Sequence, residues 1–287
     1  MGPRITRRDL LRISPAALLP VDGFLPGFFP SRTRSFWLFQ LLKPVEVSLA
    51  PVGTARLHCS NSERDWTIEG TENVEIGLSS APLHIAAAGD MPVWCRIEIP
   101  DQMRREFFGV IDVHPAPDLL LVTLTTTIEV ATSCIVGAEM PVSAASLEAL
   151  TAQAVVSRSV LFATHMPRHS CAHFCDTTHC QFFRSPALPG SRVLTAVQRT
   201  RDIILTQARK PIAPRYSAAC GGRTEAGLDR GVRYFSVICG SCRKRGVARR
   251  GHGWGLCQEG AMAMAASGAS CHEILDKYYP ATSLCAA

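Results

Sequence analysis

From residue 141 to residue 165 the chain reads PVSAASLEALTAQAVVSRSVLFATH, a run without glycine and with its one proline at the first position. Ala, Leu, Gln and Glu lose little freedom in a helix. Leu147, Leu150, Ala154, Leu161 and Phe162 recur at a spacing that lines one helical face. The pattern predicts a helix over 141–165, with Pro141 in the first turn, where its missing N–H is no loss, and Pro167 beyond its end. Glu139 and Met140 would then stand just ahead of the helix start.

That helix separates two halves of different pattern. Residues 35–130 alternate apolar and polar positions in short runs divided by Gly, Pro, Asn and Asp, which predicts strands at 45–49, 93–99, 107–113 and 119–125. HPAPD at 114–118 reads as the turn joining the last two. Past the helix, 191–200 reads as a second helix, 203–206 as a strand and 258–267 as a third helix stopped by Gly268. Ser270 and Glu273 make a capping-box pattern for a fourth helix, ending at Tyr279 before Pro280. The expectation is an α+β protein, with a β-rich region at 35–130 and a mixed helix and strand region at 131–287. Residues 1–30 are either an export signal or a flexible basic N-terminus.

With 287 residues, 47% hydrophobic and 19% charged, the chain can bury a substantial core. Thirty Lys+Arg against 24 Asp+Glu leave +6, enough for weak attraction to a polyanion. No helix-turn-helix, aromatic RNP pair or zinc-finger spacing accompanies that charge, so nucleic acid is not an expected partner. Near the N-terminus, TRRDLLRISPAALLP sets Arg7 and Arg8 before a Leu-rich stretch, similar to a twin-arginine export signal. Pro15, Pro20 and Asp22 interrupt it. No run reaches the roughly 18 apolar residues that span a membrane. The expected location is outside the cytoplasm, in the periplasm or cell wall. There, twelve Cys would favour disulfides, whereas inside the cell they would favour metal sites.

The densest chemistry is HSCAHFCDTTHCQ at 169–181, with three His, three Cys and one Asp. His169, Cys175 and Cys180 supply an imidazole and two thiolates, types that suit tetrahedral zinc. Water, His179, Cys171 or substrate could complete the set, and a pair of disulfides is the competing reading. CGSC at 239–242 is a lone CxxC that fits a redox pair, half a metal site or a disulfide. Glu139 lies in the apolar stretch IVGAEMP, where desolvation suits a general acid. The competing reading is a carboxylate that faces the positive end of the following helix. Gln153 and Arg158 lie five apart on the helix, on neighbouring faces at best. Arg158 needs a partner such as Glu139 or a bound anion, unless it is an ordinary surface arginine. His252 sits between glycines and would meet substrate or hold a turn.

Six blocks in order, GAEMP with LEALTAQAVVSRS, then RH at Arg168, CDTTHCQ, YSAACGGRTE, GHGWGLCQEGAM and EILDKYYPAT, resemble the SpoIID family. That family is named for stage II sporulation protein D and includes the LytB amidase enhancers. The resemblance spans 135–282. It implies a lytic transglycosylase that cuts peptidoglycan glycan strands between N-acetylmuramic acid and N-acetylglucosamine, leaving a 1,6-anhydro end. Glu139 occupies the position of the family's catalytic glutamate, as acid and then base. His169, Cys175 and Cys180 match a zinc site carried by some members. Gln153, Arg158, Gln181, Tyr216, His252 and Gln258 fall in motifs expected to line the sugar groove. An amidase is a further implied partner, and a wall-binding enhancer or a zinc hydrolase are the alternative activities. The chain departs from the pattern in having Val130 and Ala131 after Ile128 and Glu129, and Trp254 between the glycines, as a sugar-stacking face or as packing.

Overall fold

A computed structural model describes residues 32–287, so the twin-arginine stretch lies outside the described residues. The fold is α+β. Its residues group into two units: 32–138 with 165–186, and 139–164 with 187–287. The chain therefore crosses between units at 138/139, 164/165 and 186/187.

In the first unit the alternating half becomes β1 (Thr33–Leu38), β2 (Glu46–Pro51), β3 (Arg56–Ser60), β4 (Asp65–Glu69), β5 (Val74–Gly77), β6 (Leu83–Ala86), β7 (Val93–Ile99), β8 (Met103–Pro115) and β9 (Leu120–Thr127). A short β10 (Phe174–Cys175) adds to β1 in parallel. The thirteen-residue β8 organises them. Its first half pairs with β7, as Ile99↔Met103 to Val93↔Gly109, and its second half pairs with β9 and β6. Gly109 stands at the change of partner, where an added Cβ would come 2.5 Å from the Thr125 carbonyl oxygen. A side chain there would push β9 away. Strand alternation then does its ordinary work: Val47, Leu49, Leu57, Ile85, Ile97, Ile111, Val122 and Leu124 are all buried. Each contributes about 1.5–3 kcal/mol of apolar burial.

The chain leaves β9 through α1 (Ile128–Glu139), a helix that the sequence pattern missed. Its residues IEVATSCIVGAE are rich in β-branched types and carry no amphipathic stripe, because Ile128 and Val130 to Val136 are all buried. Thr132 and Ser133 satisfy their hydroxyls by donating back to the carbonyls of Ile128 and Val130, at 2.7 and 2.8 Å. Glu139 is thus the last residue of one helix rather than the residue before the next.

The long helix, α2 (Leu147–Ala163), begins six residues later than the pattern over 141–165 predicts. Arg192 accounts for the delay: its guanidinium donates to the carbonyls of Val142, Ser143 and Ala145, at 2.6, 3.2 and 2.8 Å. Those carbonyls would otherwise accept helical amides. Residues 147–161 of α2 are buried except near its start, and α3 (Arg192–Arg199), β11 (Ile203–Gln207), α5 (Gln258–Ala266) and α6 (Cys271–Tyr278) pack around it. β12 (Lys210–Pro211) and β17 (Ser283–Ala286) flank β11. β13 (Tyr216–Ser217) pairs in parallel with β16 (Leu256–Cys257), and β14 (Gly227–Asp229) pairs antiparallel with β15 (Val232–Tyr234). Between β15 and β16 in the chain lies α4 (Gly240–Lys244). The capping box read at Ser270 and Glu273 is present, and Gly268 at φ +89° follows the end of α5. Among the described residues no helix is long and apolar enough to cross a membrane.

Candidate functional site

In the second unit a line of polar side chains runs from Glu139 into the core. The Tyr216 hydroxyl donates to Glu139 Oε1 at 3.1 Å and also meets the Ser157 hydroxyl. Gln153 Nε2 donates to Ser157 Oγ at 3.0 Å, and Gln258 Nε2 donates to Gln153 Oε1 at 3.3 Å. Gln153, Ser157 and Gln258 are buried, while Glu139 is half-buried at the outer end of the line. Four residues read from the sequence are therefore joined: Glu139, Tyr216, Gln153 and Gln258. Ser157 joins them as the link that sequence reasoning passed over. Its signal was present, since it stands four residues after Gln153 and so on the same helical face. Burial raises the Tyr216 hydroxyl well above the ordinary phenol range, with the charge and hydrogen bond of Glu139 adding to it. The phenol stays protonated and keeps donating.

Tyr216 is fixed by its surroundings. The Tyr234 hydroxyl accepts from the Arg215 amide at 2.8 Å, and the Tyr279 hydroxyl donates to the Arg215 carbonyl at 2.6 Å while accepting from the Leu256 amide at 3.0 Å. Gly255, at φ +65°, lets β16 come this close: a Cβ there would lie 2.0 Å from the Arg215 carbonyl oxygen. His252 is exposed on the same glycine-rich segment, its Nδ1 accepting from the Trp254 amide at 3.0 Å. It holds a turn. Trp254 packs edge-on against Tyr234, with ring centroids 5.2 Å apart, and is occupied in packing.

Arg158 requires a correction. At 1% exposed it is neither a surface arginine nor placed to meet a sugar. Its guanidinium donates to the Thr200 hydroxyl (3.1 Å), the Ile203 carbonyl (3.3 Å) and the Val197 carbonyl (3.0 Å), tying α2 to the end of α3 and the start of β11. At the end of α3 the Val197 carbonyl accepts from the Thr200 amide at 3.3 Å, and the buried guanidinium adds a second donor there.

The His/Cys segment lies in the first unit. β10 hydrogen-bonds along β1, with Trp37 opposite Cys175, and Asp176 turns the chain by accepting the amides of Phe39 (2.9 Å) and Gln40 (3.3 Å). Burial pushes the Asp176 carboxyl up, against those amides and Arg105. Phe36 stacks on Phe183 at 4.1 Å and on Phe174 at 5.5 Å, clamping both ends of the loop. Within it, the Cys180 amide donates to the Thr177 carbonyl, a turn that folds TTHC back on Cys175. His169, Cys175, His179 and Cys180 then present four ligand atoms within 4.8 Å of one another. Cys180 Sγ lies 3.3 Å from His169 Nε2 and 3.5 Å from His179 Nδ1. His179 thus takes the fourth place, and Cys171 stays outside. Gln181 follows directly and is buried in this unit, whereas the Glu139 line belongs to the other. All twelve cysteines are free thiols.

No curated protein matches the chain. Residues 122–207 match the family model SpoIID, described as stage II sporulation protein. The match contains Glu139, Gln153, Ser157 and the whole His/Cys loop, and it stops short of Tyr216, His252 and Gln258. Its bearing is a cell-wall-related function. Over residues 122–207, less than a third of its length, the chain is similar to the SpoIID family.

Proposed function

We propose that this protein is an exported lytic transglycosylase that cleaves peptidoglycan glycan strands, with Glu139 as its acid and base. The observation that carries the reading is the pairing of a half-buried carboxyl with a phenol that stays protonated. Glu139 is the last residue of α1, half-buried and within reach of the Tyr216 hydroxyl. Its proton passes to the glycosidic oxygen as the bond from C1 of N-acetylmuramic acid breaks. The C6 hydroxyl oxygen of the same sugar then bonds to C1, and its proton returns to Glu139. Atoms balance without water, so one carboxyl group suffices. Tyr216 is a positioning residue: its O–H holds Oε1 and leaves the other oxygen to act. Incubation with peptide-free glycan strands tests the reading. Soluble fragments are expected, whereas binding without fragments would replace it with a wall-binding enhancer of a separate amidase.

Tyr216→Phe is expected to lower kcat about tenfold, the rate equivalent of one hydrogen bond of about 1.5 kcal/mol. Steady-state kinetics check this, and an unchanged kcat would remove Tyr216 from the positioning role.

The two imidazoles and two thiolates of the first unit fit zinc in donor type and number. Four protein donors close the coordination shell, which marks a structural site and disfavours a metal-bound hydroxide. When bound, the ion supplies a cross-link within the loop at 169–181. Metal analysis of His169→Ala and Cys180→Ser proteins should each show one zinc fewer than wild type. Unchanged content in both would remove the assignment.

A further inference from the structure

The lone CxxC at Cys239 and Cys242 gains two partners in the fold. Cys220 opens the tight turn after β13, Cys239 caps α4, Cys242 lies within it, and Cys257 ends β16 and caps α5. The four sulfurs lie within 4.8 Å of one another, and all four residues are buried. Cys242 and Cys257 Sγ are 3.5 Å apart. A disulfide needs about 2.0 Å. Four thiolates around zinc, with Zn–S of about 2.3 Å, stand about 3.8 Å apart by tetrahedral geometry. The spacing is that of a cage.

The surroundings are those that anionic sulfur needs. The amides of Cys220 and Gly260 donate to Cys257 Sγ at 3.3 and 3.4 Å, and the Tyr278 hydroxyl lies 3.4 Å from Cys239 Sγ. Gly260 is required by this approach, since a Cβ there would fall 1.9 Å from the Tyr278 oxygen and 2.6 Å from Cys239 Sγ. Four thiolates on a divalent ion leave two negative charges. The basic stretch at 243–250, which the cleavage chemistry does not use, lies beside them. Arg249 Nε donates to the Cys220 carbonyl at 3.4 Å, and the Arg243 backbone packs on Gly222. Arg245 and Arg250 share Glu259, at 2.8 and 2.7 Å, so part of that charge is already balanced.

We propose that Cys220, Cys239, Cys242 and Cys257 hold one structural zinc ion, a site separate from the His/Cys loop. All-sulfur tetrahedral donors select zinc or iron over magnesium and calcium, and the closed mononuclear set favours zinc. The ion cross-links α4 to the β13–β16 pair, four residues from Tyr216 along the chain on one side and next to Gln258 on the other. It thereby holds the inner end of the Glu139 line.

The test reads metal and not activity, so it stands apart from the cleavage reading. Full-length His169→Ala/Cys180→Ser protein, purified under reducing conditions, is expected to retain one zinc per chain by elemental analysis. Titration with a mercurial reagent should release that zinc as four thiolates react. Cobalt loading of the same protein should give the intense sulfur-to-metal charge-transfer absorption of a four-thiolate site. Adding Cys239→Ser and Cys242→Ser should abolish both signals. Absence of zinc from the His169→Ala/Cys180→Ser protein while it remains folded by circular dichroism would overturn the proposal. Iron in place of zinc, or an intact mass lighter by two hydrogens per bond with these cysteines resistant to alkylation, would do the same.

Discussion

Glu139→Gln is expected to lower the release of glycan fragments by about 10²–10⁴-fold, the usual worth of a positioned acid and base. Folding should be untouched. The substituted amide has the same shape as the carboxyl group, and its oxygen still accepts from the Tyr216 hydroxyl that reaches Glu139 at 3.1 Å. What it lacks is a proton to give to the leaving oxygen and a carboxylate to take one back. The loss should therefore appear in kcat with little change in KM, since glycan binding does not depend on that proton. A variant that cleaves at the wild-type rate would place the chemistry elsewhere.

Arg158→Met is the largest stability effect expected, about 3 kcal/mol from the charge-assisted hydrogen bonds it removes from the core. The side chain is 1% exposed and ties Thr200, Ile203 and Val197 to α2. Met fills similar volume, so the cost measures lost hydrogen bonds more than a cavity. Urea unfolding should show the midpoint falling with the slope unchanged. Arg158→Lys should recover part of the loss, because one ammonium group cannot reach all three partners in the same geometry. A change within about 0.5 kcal/mol would mean that these hydrogen bonds add nothing net to stability.

Much of the architecture was legible where a single local rule dominates. The strand at 93–99, the capping box at Ser270 and Glu273 and the stop at Gly268 are each set by a few neighbouring residues. Failures came where a distant residue decides. Arg192 removes the carbonyls of Val142, Ser143 and Ala145 from the helix, and nothing within that stretch announces it. α1 escaped notice because it is apolar on all sides, so it has no stripe to read. The same distinction governs the sites. His169, Cys175 and Cys180 are close in sequence, and the tight TTHC turn made them readable as a set. Cys220 and Cys257 stand far from the CxxC, and only the β13–β16 pairing brings them to it. Glu139 was singled out by its apolar setting together with the SpoIID resemblance, and the Tyr216 hydroxyl that reaches it lies 77 residues on.

The most direct test of the account is the mass of the glycan ends released from peptide-free strands by the wild-type protein. Internal attack by the C6 hydroxyl without water predicts fragments ending in 1,6-anhydro sugar, one water lighter than a reducing end, and their disappearance with Glu139→Gln. Reducing ends from the wild type, or anhydro ends that persist in Glu139→Gln, would contradict it.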